Sequence, residues 1–91
     1  MSYMHIVHTV EDYAKWRTVF DEDARTNHRA NGITESRVFR NTNKPNEIIV
    51  MLKIDDLEKV RKYTESESLK EAMQRAGVIG HPTIYFIDEV S

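Results

Sequence analysis

His8 is the residue of this chain best suited to proton transfer. It ends an apolar stretch and precedes a helical pattern, so it is predicted to lie at the end of a first strand. An unperturbed imidazole has a pKa of about 6.5, which suits general acid–base catalysis near neutral pH. His8 is therefore a candidate general base. The alternative is a histidine that only forms a hydrogen bond at the end of a strand.

The spacing of the histidines does not predict a metal site. His5 and His8 are three residues apart, and strand alternation places them on opposite faces. His81 precedes a last strand that should run antiparallel to the first, so it is expected near His8. Two histidines are too few ligands for a metal, and the chain has no cysteine to add. We predict no metal. His81 stays a candidate for a ligand pocket, with a loop histidine before Pro82 as the alternative.

An aromatic stripe could provide a flat binding surface. Tyr13, Trp16 and Phe20 follow at helical spacing, which is typical of a core face. Tyrosine and tryptophan also carry polar groups, so the three rings are candidates for lining a ligand pocket. Arg37 and Arg40 could bind an anionic substrate, although such residues are more often solvated or paired with acids.

Composition narrows the class of protein. Ninety-one residues predict one domain, 1–91, and 40% hydrophobic with 31% charged residues is typical of a globular chain. No signal-peptide pattern is visible, and no apolar run approaches the roughly 20 residues of a membrane span. We therefore expect a cytoplasmic protein without a membrane partner. The net charge of −2 argues against nucleic acid as a partner.

The apolar pattern predicts four strands, each bounded by turn signals. They cover residues 3–9, 33–41, 47–54 and 83–88. The second strand is polar, as an edge strand should be. The segment Gly80-His81-Pro82 is predicted to lead into the last strand as a connection.

Two helical regions alternate with the strands. The first begins at a capping box formed by Thr9 and Asp12, runs to about residue 30, and stops at Gly32. The second begins after Asp55 and Asp56, breaks or restarts within 64–68, and ends at residue 77. The order is β-α-β-β-α-β, the ferredoxin-like arrangement of the α+β class. Right-handed crossovers then give a four-stranded antiparallel sheet, with strands one and three central and the helices on one face.

The third strand is apolar on both faces. Within Glu47–Ile54, alternation puts Ile48 and its alternate neighbours on one face, and Ile49 and Met51 on the other. Helices can cover only one face of so small a protein. A bare apolar face is typical of an interface, so Ile49 and Met51 are candidate contacts of a homodimer.

Three groups of residues, spread over nearly the whole chain, resemble a known superfamily. They are His8-x-Val10-x-Asp12-Tyr13-x-x-Trp16-x-x-x-Phe20-Asp21, then Arg40-Asn41 with Pro45-Asn46-Glu47, and Leu69-x-x-Ala72-Met73-x-x-Ala76-Gly77-Val78-x-Gly80-x-Pro82. The chain resembles the dimeric α+β-barrel superfamily, and within it the antibiotic-biosynthesis-monooxygenase-like proteins.

The resemblance implies two sheets packed face to face in a homodimer and a pocket in each protomer between helices and sheet. Some members oxidise polyphenolic substrates with O₂ and no cofactor, and others degrade heme. The expected function is that of a cofactor-independent monooxygenase or related enzyme for a small aromatic or polyketide-like molecule. The alternative is a non-catalytic dimeric module that binds a small hydrophobic ligand or regulates another enzyme.

Overall fold

The computed structural model describes residues 2–90 and has the predicted ferredoxin-like order, with the second helical region divided in two. The elements are β1 (Ser2–Val10), α1 (Tyr13–Asp23), a π-helical turn (Ala24–His28), a 3-10 turn (Arg29–Asn31), β2 (Ile33–Arg40), β3 (Glu47–Ile54), α2 (Leu57–Thr64), α3 (Glu67–Arg75) and β4 (Val78–Asp88). The sheet has the order β2-β3-β1-β4, and all three pairings are antiparallel. β1 and β3 are therefore central, as predicted.

Alternation along the two central strands builds the core. On β3 burial alternates along the chain: Ile48 and Val50 are buried, whereas the residues that follow each of them, Ile49 and Met51, are only half-buried. The β1–β3 register places His8 opposite Ile48, so His8 belongs to the same face. That face packs against the helices, with Trp16 among the buried side chains. Each large apolar side chain buried in this way contributes roughly 1.5–3 kcal/mol.

The first helix starts by a simpler device than predicted. Asp12 alone is the N-cap: its carboxylate accepts a hydrogen bond of 2.9 Å from the Ala14 N–H, while Thr9 lies within β1. The prediction of a capping box was therefore wrong, because α1 begins at Tyr13, three residues later than a helix capped by Thr9 would begin. The predicted end is confirmed, since Gly32 has a φ of +82° and terminates the helical segment. The π-helical turn before it was not predicted.

The second helical region divides where the sequence indicated. α2 ends at Thr64, and Ser66 caps α3 by accepting a hydrogen bond of 3.2 Å from the Leu69 N–H. Gly77, with a φ of +77°, follows α3 and leads directly into β4. Within residues 2–90, no helix is long and apolar enough to cross a membrane.

β4 begins earlier than predicted. The strand starts at Val78 rather than at Thr83, and Gly80-His81-Pro82 lies inside it. The β1–β4 register shifts there, between Val7 and Thr9, so this segment forms a bulge. The prediction of a connection was wrong because an edge strand tolerates what looks like a turn: a glycine at positive φ fits a bulge, and a proline there costs no ladder hydrogen bond.

Candidate functional site

A cavity of about 60 Å³ lies between the helices and the sheet. Side chains of β1 and β3 line it on one side, and side chains of α1 and α3 line it on the other. The lining is almost entirely apolar; the polar exceptions are His8, Asp23, His28 and Tyr63. The cavity therefore offers an apolar space with a few polar groups, which is the usual composition of a small-molecule site.

His8 is buried in the wall of this cavity without an internal partner. The side chain is only 9% exposed, and neither Nδ1 nor Nε2 has a hydrogen-bond partner among residues 2–90. Burial lowers the pKa of His8 from 6.5 to about 4. The ring is therefore neutral at pH 7, with one nitrogen that donates and one that accepts a hydrogen bond.

Two of the three stripe residues line the cavity beside His8. The Trp16 ring lies 5.5 Å from the His8 ring and stacks on Phe20 at 4.9 Å. Tyr13 touches Trp16 at 6.0 Å but does not line the cavity. The Arg40 guanidinium lies over the Tyr13 ring, 4.2 Å from its centroid. Trp16 and Phe20 thus form a flat wall, and Tyr13 packs against Trp16 without lining the cavity.

The other predicted polar residues lie elsewhere. His81 is exposed on the bulge of β4 and is not among the residues that line the cavity. Arg37 pairs in register with Met51 and so lies on the sheet face away from the helices. His5 also lies on that face, where its ring is 6.2 Å from Tyr85. The structure therefore brings together His8, Trp16 and Phe20, and leaves His81 outside.

A second polar group in the cavity was not found in the sequence. We define the Asp23 cluster as Asp23, Asn27, His28 and Tyr63. The amide of Asn27 donates a hydrogen bond of 2.6 Å to Oδ1 of Asp23, and the Tyr63 hydroxyl donates to Oδ2. Nε2 of His28 lies 3.7 Å from the same Oδ2. The cluster joins α1, the π-helical turn and α2.

Electrostatics in the Asp23 cluster follow from burial. His28 is buried, and burial lowers its pKa, while the nearby Asp23 carboxylate opposes part of that effect. Burial, the hydrogen bond to Asp23 and the charge of Asp23 together raise the pKa of Tyr63. Tyr63 therefore remains a hydrogen-bond donor throughout the physiological range. Because burial outweighs the effect of the carboxylate, the His28 ring is neutral at pH 7, with one nitrogen that donates and one that accepts a hydrogen bond.

The open face of the sheet is the other candidate surface. Ile49 and Met51 lie at its centre on β3. Around them Phe39, Tyr85 and Ile87 are 49%, 54% and 39% exposed. These apolar side chains share the face with Arg37 and His5, which lie on either side of Met51. Exposed apolar side chains grouped in this way make the face a candidate interaction surface.

Comparison with known proteins identifies the fold. No protein-family model matches the chain, and neither does any curated protein. The structure superposes on that of an antibiotic biosynthesis monooxygenase with a TM-score of 0.74, 12% identity and full coverage of both chains. A conserved protein from Methanosarcina mazei Go1 gives a TM-score of 0.75 at 10% identity, covering 99% of this chain and 94% of that one.

A third match is to SnoaB, a cofactor-independent oxygenase from Streptomyces nogalater. Its TM-score is 0.70 at 13% identity, with 98% of this chain and 93% of that chain covered. The present chain therefore has the fold of the antibiotic biosynthesis monooxygenases, as the sequence resemblance predicted. At such low identities the likeness shows the fold alone, because one fold carries many activities.

Proposed function

We propose that this chain is a homodimeric enzyme that binds a small aromatic molecule in the cavity and oxidises it with O₂, without a cofactor. The observation that carries the proposal is His8, a buried ring with two unpartnered nitrogens in the wall of an apolar cavity. A buried polar atom without a partner costs roughly 1–3 kcal/mol. A bound ligand that supplies the missing hydrogen bonds would recover that free energy.

His8 would act as the general base. A phenolic or enolic hydroxyl can donate to the accepting nitrogen of the neutral ring. Proton transfer then leaves an electron-rich anion beside an imidazolium, and the opposite charges raise the pKa of His8 in the complex above its value in the free protein. The adjacent Trp16 and Phe20 rings would hold a flat substrate parallel to their wall.

The oxidation balances with O₂ as the only co-reactant. A ring CH₂ group conjugated with a carbonyl, as in an anthrone or the keto tautomer of a naphthol, loses a proton to His8. The resulting enolate is the same anion that forms from the enolic hydroxyl, and it reacts with O₂ at carbon. One oxygen atom remains as a carbonyl, and the other leaves as water with the two hydrogens of the CH₂ group. His8 returns its proton to the departing oxygen. Four electrons leave the carbon, and four reduce O₂.

The size of the cavity requires one wall to move. A volume of about 60 Å³ matches roughly two water molecules and is far below the ~150 Å³ that holds benzene. Leu69 and Met73 of α3 line the cavity and are only half-buried. Methionine repacks readily, so this wall is the part that we expect to yield when a ligand enters.

A non-catalytic ligand-binding module is the second candidate function. The low pKa of His8 favours it, because a ring with a pKa of about 4 is a weak base until a ligand changes its surroundings. In this case His8 would only exchange hydrogen bonds with a ligand hydroxyl.

Oxygen uptake separates the two functions. Wild-type protein, His8→Ala and the exposed control His81→Ala are each mixed with a panel of anthrones and naphthols, and O₂ consumption and binding are measured. The proposed enzyme consumes O₂ with one of these compounds; His8→Ala lowers the rate by 10²-fold or more, and His81→Ala leaves it unchanged. Binding without O₂ uptake would establish the ligand-binding module instead, and no binding at all would contradict both.

The homodimer would form through the open face of the sheet. Two copies related by a two-fold axis would present the same face to each other, and this packing would bury Ile49 and Met51 of both protomers. Met51→Glu should convert a dimer into a monomer or an aggregate in sedimentation. Gln74→Glu, an identical change of charge on the exposed side of α3, should leave the dimer intact. A wild-type chain that sediments as a monomer at micromolar concentration would contradict this assembly.

A further inference from the structure

The Asp23 cluster is a buried polar group that the proposed chemistry of His8 does not use. Asp23 and His28 are five residues apart, so on a regular α-helix, at about 100° per residue, they would point in clearly different directions. The π-helical turn over Ala24–His28 widens the helix and brings both side chains to the cavity. Such turns occur often at functional sites.

Contacts hold the Asp23 carboxylate in one orientation. Oδ1 accepts the hydrogen bond from Asn27, and Oδ2 accepts the one from Tyr63. The Tyr63 contact links α2 to α1 and can be explained by that structural role. The same role does not explain the position of His28. Its Nε2 lies 3.7 Å from Oδ2, which is longer than a hydrogen bond. The ring nitrogen and the carboxylate oxygen therefore face each other across a gap at the cavity wall.

The cluster lies along the same row of rings as His8 but toward the other end of α1. From His8 the row passes through Trp16 and Phe20 to His28 and Tyr63, with successive centroids 4.9–6.4 Å apart. From Trp16 to Asp23 the helix rises roughly 10 Å. The cavity is thus an apolar slot with polar groups toward both ends.

Resting on the proposed binding of an aromatic molecule in this cavity, we propose that Asp23, His28 and Tyr63 form a second subsite, which binds a hydroxyl group on the end of the ligand opposite His8. The ligand hydroxyl donates to the Asp23 carboxylate and accepts from the His28 N–H. The preferred ligand class is then a flat aromatic molecule with oxygen functions on two opposite edges, rather than a simple phenol. The groups of the subsite bind and position; His8 remains the base.

A pair of probes tests the subsite directly. Binding of 2-naphthol and of 2,6-dihydroxynaphthalene is measured by calorimetry under anaerobic conditions, so that neither compound is oxidised. The wild-type protein should bind the diol about tenfold more tightly, since a hydrogen bond to a charged group has that magnitude. Asp23→Asn should reduce this ratio to near one and leave the affinity for 2-naphthol unchanged.

Matched variants separate recognition from folding. Asp21→Asn makes the same chemical change on the same helix. The Asp21 carboxylate forms an ion pair of 3.0 Å with Arg17 and does not line the cavity, so this variant should keep the tenfold ratio. Tyr63→Phe removes one hydroxyl and loosens Asp23, so it should lower the ratio about threefold. If Asp23→Asn does not fold, Tyr63→Phe carries the test.

The outcomes distinguish this subsite from the proposed function. A ratio that survives both Asp23→Asn and Tyr63→Phe overturns the subsite. So does a wild-type ratio near one in a protein that binds 2-naphthol through His8, and in that case the proposed function stands. If neither naphthol binds, the proposed function fails and the subsite falls with it.

Discussion

The two buried histidines of the cavity differ in what surrounds the ring. His8 is fixed on a central strand, and neither nitrogen has a partner among residues 2–90. His28 sits on a π-helical turn with the Asp23 carboxylate beside it. Burial lowers the pKa of both rings. Burial therefore keeps each ring neutral, and the rings differ in their polar surroundings: His28 has a carboxylate oxygen 3.7 Å from Nε2, whereas His8 has no hydrogen-bond partner among residues 2–90.

Of the changes considered, a fall in pH should change the free energy of unfolding most, and this change should come from protonation of His8. Its pKa is about 4 in the folded state against 6.5 in the unfolded chain, so the unfolded chain binds the proton more strongly. Above pH 6.5, titration of His8 should therefore leave the free energy of unfolding unchanged. As the pH falls from 6.5 toward 4, the free energy of unfolding should decrease by about 3 kcal/mol because of His8.

Urea unfolding at pH 7.0 and 4.5, at one protein concentration, measures this loss in the wild type and in His8→Leu. The variant should lose about 2–3 kcal/mol less than the wild type over this interval. All other titratable groups are common to the two proteins, so only the difference between them reports on His8. Equal losses would show that His8 is not held neutral by burial.

Removing the Asp23 carboxylate, which lies beside His28, should have the next largest effect on the free energy of unfolding. Asp23→Ala leaves the Tyr63 hydroxyl and the Asn27 amide without their acceptor, which should lower the free energy of unfolding by about 2 kcal/mol. Asp21→Ala removes a half-exposed carboxylate from the same helix and should change it by less than about 0.5 kcal/mol. Equal effects of the two substitutions would mean that the Asp23 carboxylate is not a buried acceptor.

Replacing each histidine by leucine should have the smallest effect on the free energy of unfolding, with opposite signs at His8 and His28. At pH 7, His8→Leu removes two unpartnered polar atoms from an apolar site and should raise the free energy of unfolding by about 1 kcal/mol. His28→Leu places an apolar side chain against the Asp23 carboxylate and should lower it by a similar amount. Chemical unfolding at pH 7 compares them. Destabilisation by both substitutions would contradict the distinction drawn between the two rings.

The strands were largely predictable from local patterns. The bounds of β3 were predicted correctly, because a continuous apolar run of strand length lies between a turn-rich segment and the acids Asp55 and Asp56. The start of β4 was missed by five residues. Gly80 and Pro82 are common in turns, and only the pairing with β1 shows that they belong to a bulge.

The site was predictable only where a regular period places the side chains. Alternation put His8 on the face of its strand opposite to His5, and helical spacing put Trp16 and Phe20 on one side of the first helix. Asp23 and His28 could not be paired in this way, because their spacing matches no turn of a regular helix. The partner hydroxyl of Tyr63 comes from an element 40 positions later in the chain, and local sequence does not indicate that contact.

The π-helical turn makes the Asp23 cluster tolerant of a change in chain length. Such a turn holds one residue more than an α-helical turn, so deletion of the codon for Arg25 or Thr26 would let the helix continue regularly. Asp23 and His28 would then be four residues apart, a spacing that keeps two side chains on one face of an α-helix. A strand has no such tolerance, because removing one residue from β1 would turn every later side chain of that strand to the other face. The Asp23 cluster can therefore survive a one-residue deletion of a kind that would displace His8.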